Sequence, residues 1–148
     1  MKPKHKSMYM KMAHCLADVS IDEKLKVGCV IVKDNNIIAT GYNGKSKHLS
    51  GANQDSTGKT FNSVRHAEKN ALMSLIRSNE SAVGATMFVT HGCCVLCGID
   101  VVDAGIIEVI YEKEYKCSKG LEYLEEHGVK VSKLGAINKY AKYTKHLT

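Results

Sequence analysis

The sequence lacks the long apolar stretches that membrane proteins need. No run of about 18 apolar residues, the usual minimum for a membrane-spanning helix, occurs among its 148 residues. The basic beginning, MKPKHKSMYMKMAHC, also lacks an apolar segment of signal-peptide length. We therefore expect neither membrane contact nor secretion, and we expect the protein to act in the cytoplasm.

Proline is scarce as well. It occurs once, as Pro3, and no repeat, low-complexity segment or proline-rich linker marks a domain boundary. A length of 148 residues suits one domain with one hydrophobic core. We expect a single domain over residues 1–148, with a folded core of about residues 7–134 and a basic segment at each end.

Acidic residues are missing from both ends. Residues 1–6 and 138–148 hold three lysines each and no acid, and these six lysines equal the whole net charge of +6. The body between them is neutral, whereas nucleic-acid-binding domains usually carry a basic face. We therefore do not expect a nucleic acid partner. The two ends are either solvated segments, or one of them folds over an anionic ligand or contacts a neighbouring subunit.

Six cysteines are present, but a disulfide framework is not expected. The chain is large enough to fold around an apolar core, and the missing export signal favours a reducing compartment. Cys15 and Cys29 are therefore predicted to be small buried core residues. Cys93, Cys94 and Cys97 fall within five positions and need a separate explanation.

The first half of the sequence predicts a helix and a hairpin. Residues 7–20 contain a helical stripe that predicts a buried face of Met8, Met12, Cys15, Leu16 and Val19. Two β-branched runs, 27–32 and 37–42, flank the turn sequence KDNN. Residues 43–62 are polar, and a loop of that length is usually functional or disordered.

The second half alternates between helices and strands. Helices are predicted at 64–78, capped by Asn62 or Ser63, at 94–104 and at 118–127, and strands at 86–90, 106–111 and 129–134. Helical connections between strands imply right-handed crossovers and parallel pairing. The sequence therefore predicts an α/β fold of three layers, α/β/α, around a mixed five-stranded sheet with the hairpin at one side.

Two predicted helix starts carry residues that bind metals. Cys94 and Cys97 are one helical turn apart, so both sulfurs can face one ion, and the positive end of the helix dipole favours thiolates. His66 and Glu68 lie at another helix start. In an open α/β sheet the ligand site lies beyond the carboxyl ends of the parallel strands, where such helices begin. Three protein ligands and a nearby carboxylate are typical of a catalytic zinc ion.

Each motif is weak by itself. An isolated H-x-E usually leaves the glutamate as an exposed helix residue, and C-x-x-C occurs in metal sites, in redox sites and by coincidence. Together they favour a zinc ion held by His66, Cys94 and Cys97, with Glu68 as the proton carrier. The alternative is a structural zinc whose shell is closed by Cys93 or His91.

The segments HAEKNAL and GATMFVTHGCCVLCGIDVVDAGIIEVIY resemble the zinc-dependent cytidine and deoxycytidylate deaminases, whose signature is H-x-E followed by P-C-x-x-C. The resemblance spans roughly residues 7–134. The hairpin KVGCVIVKDNNIIATGYNG (26–44) is similar to that of the deoxycytidylate deaminases in particular, and YEKEY (111–115) resembles a segment of viral members. This chain differs in having Cys93 where the family has a proline.

The resemblance implies a cytidine deaminase-like fold, one catalytic Zn²⁺ and a homo-oligomer. It also implies hydrolysis of dCMP to dUMP and ammonia, which supplies dUMP for thymidylate synthesis, with Glu68 moving the protons. For the deoxycytidine nucleotide we predict a contact from Asn43 to the sugar or base and one from Lys26 to the 5′-phosphate. Further predicted substrate-binding residues are Ala67 at the helix start and, as walls of the base pocket, Tyr111 and Tyr115.

Other functions remain open at this point. A dCTP deaminase or an enzyme of dual specificity would use the same residues. Deamination of guanine, of a riboflavin precursor or of adenosine in tRNA is a second possibility, although tRNA deaminases typically have a G-W-N-R-like turn where this chain has GYNG. The third is a non-catalytic nucleotide-binding protein stabilised by zinc.

Overall fold

The computed structural model describes residues 1–46 and 49–135. Its elements are α1 (Pro3–Val19), β1 (Gly28–Lys33), β2 (Asn36–Tyr42), β3 (Gly44–Lys45), β4 (Val64–Arg65), α2 (Ala67–Leu75), β5 (Thr86–His91), α3 (Val95–Asp103), β6 (Glu108–Lys113), α4 (Lys119–Glu126) and β7 (Lys130–Lys133). Within the described ranges, no helix combines the length and apolarity needed to cross a membrane.

The main sheet has five strands in the order β2-β1-β5-β6-β7. β1 is antiparallel to both β2 and β5, whereas β5, β6 and β7 are parallel. The predicted mixed five-stranded sheet is thus confirmed. The turn between β1 and β2 places Asp34 and Asn35 at φ angles of 50° and 61°, as a two-residue hairpin turn requires.

Helices cover both faces of the sheet, which confirms the three-layer α/β/α architecture. On one face α1 packs Tyr9, Met10 and Ala13 against Val30 and Phe88. On the other face α2, α3 and α4 pack against the opposite side of the same strands, where Cys29, Ile31 and Val89 are fully buried. Alternate residues of β1 therefore belong to different core clusters, as strand geometry requires.

The predicted buried face of the first helix is wrong. Met8, Met12, Cys15 and Val19 are exposed and Leu16 is partly buried, while the buried residues of α1 are Tyr9, Met10, Ala13 and Ala17. The helix crosses β1 so closely that a Cβ on Gly28 would lie 1.8 Å from the Ala13 carbonyl oxygen. Only small residues fit at such a crossing, so Ala13 and Ala17 face Gly28, and the predicted stripe is turned away from the sheet. Cys29, by contrast, is buried as predicted.

The chain around residue 64 also differs from its prediction. Lys45 pairs with Val64 and Gly44 with Arg65, so α2 begins three residues later than predicted. The N-cap is His66 rather than Asn62 or Ser63. Near the N-terminus, α1 starts at Pro3, earlier than the predicted residue 7. The basic segment 138–148 lies outside the described residues.

Candidate active site

Two helix starts and the end of a central strand meet at one edge of the sheet. α2 begins directly after His66, and α3 begins directly after Cys94, which follows β5. Neither residue makes a side-chain hydrogen bond that caps its helix, so both side chains remain available to a ligand. This is the edge at which ligands of open α/β sheets bind.

The three predicted metal ligands lie together. The Sγ atoms of Cys94 and Cys97 are each 3.4 Å from Nδ1 of His66. The three ligand atoms lie within 4.8 Å of one another. Two sulfurs and one imidazole nitrogen are a donor set typical of zinc, and this cluster fits one Zn²⁺.

Glu68 lies in the first turn of α2 and is 3% exposed. Burial raises the pKa of this carboxyl, and its interactions with Cys97 and His66 offset only part of the effect. A carboxyl with a raised pKa can both accept and release a proton near neutral pH. Glu68 therefore has the environment expected of a proton carrier rather than of an exposed helix residue.

The pKa values of the two cysteines of the cluster are shifted in opposite directions. A hydrogen bond from the Cys97 thiol is the main reason that the pKa of Cys94 falls to about 4. The same contact, together with burial, raises the pKa of Cys97. Hydrogen bonding to Cys94 also raises the pKa of His66. Because metals bind thiolate and neutral imidazole, loading the site with zinc must release protons.

Neither Cys93 nor His91 belongs to the cluster of ligand atoms within the described residues. Cys93 is 2% exposed and packs in the core under the site, where burial raises its pKa to about 12. Its backbone is held against α4, since a Cβ on Gly120 would lie 2.0 Å from the Cys93 carbonyl oxygen. Nδ1 of His91 lies 3.0 Å from the hydroxyl of Thr90. This arrangement supports a three-ligand site rather than a closed shell.

The residues predicted to contact the substrate lie at the same edge of the sheet but differ in their contacts. Asn43 is buried, and its amide accepts from Val27 N–H and donates to the Leu25 carbonyl. Lys26, between those two residues, is exposed. The Tyr115 ring is half-buried, and its pKa is raised by burial and by the charges of the cluster.

The other two residues predicted to contact the substrate, Tyr111 and Ala67, lie on β6 and at the start of α2. Tyr111 is buried, and its hydroxyl donates to Glu114. Ala67 is fully buried as the first residue of α2. Its backbone N–H has no acceptor within the helix, as is general for the first residues of a helix.

A buried polar network beside these residues was missed from the sequence. Its members are Ser20, Asp22, Asn43, Asn53 and Gln54. The Asp22 carboxylate accepts hydrogen bonds from Asn53 and Gln54, which are 31 and 32 residues away in the sequence. Periodicity carries no signal for such a contact, because polar residues in a loop are normally read as solvated.

Comparisons with known proteins assign the family. Residues 3–113 match the model of the cytidine and deoxycytidylate deaminase zinc-binding region. The deoxycytidylate deaminase of Saccharomyces cerevisiae is 34% identical over 141 residues, which cover 88% of this chain and 45% of the yeast protein. The deoxycytidylate deaminase of Mycobacterium phage D29 is 35% identical over 127 residues, covering 76% of this chain and 98% of the phage protein.

A solved structure is similar over nearly its whole length. The dCMP deaminase of the cyanophage S-TIM5, in complex with dCMP and dUMP, has a TM-score of 0.87 and 37% identity, and the match covers 90% of this chain and 99% of that one. The chain spans less than half of the yeast protein but almost all of both phage proteins. With its His-Cys-Cys cluster beside a buried glutamate, the chain belongs to the cytidine and deoxycytidylate deaminase family.

Proposed function

We propose that this chain catalyses the hydrolytic deamination of dCMP to dUMP and ammonia. The observation that carries the proposal is the convergence of three zinc-ligand atoms within 4.8 Å beside a carboxyl that is 3% exposed. The similarity to phage proteins named dCMP or deoxycytidylate deaminase, over nearly their whole length, supports the choice of substrate.

His66, Cys94 and Cys97 would hold the zinc ion, which when bound supplies a Lewis acid that makes water a nucleophile near neutral pH. Glu68 would accept a proton from the attacking water and deliver it to N3 of the cytosine ring. It would then assist transfer of a proton to the amino group that leaves C4 as ammonia. Its raised pKa suits both directions of transfer.

The rest of the pocket would bind and orient the nucleotide. We propose that Tyr115 forms one wall beside the cluster, with Tyr111 behind it, and that Ala67 N–H donates to the base. Asn43 would contact the sugar or base and Lys26 the 5′-phosphate. The proposed role of Lys26 is supported by its exposure and by its place between Leu25 and Val27, which the Asn43 amide fixes.

We also propose that copies of the chain associate. Tyr42, Met73 and Ile76 are 39%, 38% and 72% exposed, beside a cavity of about 650 Å³ that Lys45 and Arg65 also line. An exposed apolar surface of this kind commonly marks an interaction site. The surface on β2 and α2 is therefore our candidate for the contact between copies.

We place the reaction in the cytoplasm. All six cysteines are free thiols, and zinc binding by Cys94 and Cys97 requires them to stay reduced. A reducing compartment meets that requirement.

The substrate is tested by measuring ammonia release from dCMP, dCTP, cytidine, guanine and a tRNA anticodon stem. We expect dCMP to be the preferred substrate, with kcat/KM of at least about 10⁴ M⁻¹s⁻¹, the lower end of ordinary enzymes. A preference for dCTP would show that the substrate is the triphosphate rather than the monophosphate. Reaction with a non-cytosine substrate alone would overturn the proposal.

A further inference from the structure

The segments that flank the first hairpin emerge beside the zinc cluster. Gly28 pairs with Tyr42, and Cys29 with Val89, so the start of β1 and the end of β2 lie at the carboxyl end of β5. Gly28 N–H accordingly donates to the hydroxyl of Thr90. The chain before β1 and the chain after β2 therefore form the rim of the site from which α2 and α3 begin.

Asp22 joins these rim segments through one buried carboxylate. Its Oδ1 accepts from the backbone N–H groups of Lys24 and Leu25 at 2.9 and 3.1 Å. Its Oδ2 accepts from Nδ2 of Asn53 and Nε2 of Gln54, both at 3.0 Å. Asp22 is 8% exposed and Asn53 1% exposed, so these are hydrogen bonds to a charge shielded from water, which are among the stronger ones in proteins.

The segment after β2 is closed on itself near the Asp22 anchor. Phe61 N–H donates to the Asn53 carbonyl at 2.9 Å, and Gln54 forms a bridge with Thr60. The Gln54 amide also donates to the Thr60 hydroxyl and accepts from Glu23 N–H. Residues 53–61 thus form a loop whose far end is bonded to the two residues that Asp22 holds.

A second set of bonds, which starts with Asp22 N–H donating to the Ser20 hydroxyl, connects the anchor to β4, the strand directly before His66. The Ser20 hydroxyl donates to the Asn43 carbonyl, and Gly44, the next residue, pairs with Arg65. The Asn70 amide of α2 donates to the carbonyls of Tyr42 and Gly44. These bonds therefore hold the rim against the start of α2, beside the zinc cluster.

Resting on the proposed function, we propose that Asp22 is a positioning residue for nucleotide binding: it fixes residues 23–27 and the 53–61 loop as the rim of the substrate pocket. Asp22 touches neither the zinc ligands nor Glu68 through any of its hydrogen bonds. Its loss should consequently change KM much more than kcat. A residue that only stabilised the fold would instead reduce the fraction of active enzyme, which lowers kcat and leaves KM unchanged.

The test compares Asp22→Asn with the wild-type, zinc-loaded enzyme. The new NH₂ group must face either two backbone N–H groups or two side-chain amides, so one pair of hydrogen bonds is lost. We expect KM for dCMP to rise at least about 10-fold, the lower end for losing hydrogen bonds to a charge, with kcat within about 3-fold. Amide hydrogen exchange should become faster in residues 23–27 and 53–61.

Asp34→Asn is the matched control, because Asp34 is an exposed aspartate in the turn between β1 and β2, at the end of the hairpin away from the cluster. Its KM should stay within about 2-fold of the wild type. Gln54→Met is a second variant, which at similar size removes the amide and its bonds to Asp22, Thr60 and Glu23. It should raise KM at least about 3-fold, the scale of an ordinary hydrogen bond.

An unchanged KM in both Asp22→Asn and Gln54→Met would overturn the inference. So would a fall in kcat at constant KM. A wild-type protein that does not act on dCMP would instead contradict the proposed function, and the exchange rates would still decide whether Asp22 fixes the rim.

Discussion

Replacing Glu68 with glutamine is expected to lower kcat for dCMP at least about 100-fold, the usual scale for losing a general acid–base group. Glutamine keeps the size of the side chain but can neither accept nor release the proton that deamination moves. Because Glu68 lies outside the ligand cluster, the variant should retain one zinc per chain. The measurement is steady-state ammonia release together with zinc content of the same preparation.

Glu112→Gln is the matched control for this prediction. Glu112 is also buried, at 7% exposed, but it pairs with His14 of α1 at 2.8 Å, away from the cluster. Its substitution should leave kcat within about 3-fold, since no proton of the reaction passes through it. A Glu68→Gln enzyme with near wild-type turnover would remove Glu68 from the mechanism, and an equal loss in both variants would point to a general cost of altering a buried carboxyl.

Replacing either Cys94 or Cys97 with alanine should abolish both zinc binding and activity. Each substitution leaves two protein ligands where a catalytic zinc site has three. We expect zinc affinity to fall by more than the 10- to 100-fold typical of losing a hydrogen-bond partner of a ligand. Zinc content after dialysis against a weak chelator measures the effect.

Cys93→Ala distinguishes the role of Cys93 from that of the adjacent ligand, Cys94. Cys93 lies in the core with a pKa of about 12, so its removal should cost some stability and leave the zinc content at one per chain. If Cys93→Ala lost zinc while Cys94→Ala kept it, the assignment of the ligand pair would be wrong.

The sequence allowed the sheet and the two cysteine ligands to be predicted from regular spacing, and His66 from the H-x-E motif at a second helix start. β1 alternates its side chains between the two cores, and β5 and β6, which follow it in the sheet, are short apolar runs bounded by helices. Cys94 and Cys97 are one helical turn apart, and their helix follows a central strand. Such patterns follow from the geometry of strands and helices and require no knowledge of distant contacts.

Features that depend on long-range contacts were not predictable. The buried face of α1 was misplaced because apolar character alone favoured Met8 and Met12, whereas the close approach to Gly28 selects Ala13 and Ala17. The pairing of Gly44 with Arg65 involves strands of two residues, which are too short to show any period.

The Asp22 network escaped detection for a similar reason. Asp22 and Asn53 are polar residues in separate irregular segments, and only the folded chain brings them within 3.0 Å. Their burial cannot be read from composition, since a solvated loop and a satisfied polar network use the same residue types.

Zinc K-edge X-ray absorption on the purified protein tests the central claim most directly, because it identifies the atoms that bind the metal. We predict one zinc per chain, bound by two sulfurs and one histidine nitrogen, with the remaining position filled from solvent. A shell of four protein ligands, closed for example by a third sulfur or a second imidazole, would contradict the account, since such a site leaves no place for the reacting water.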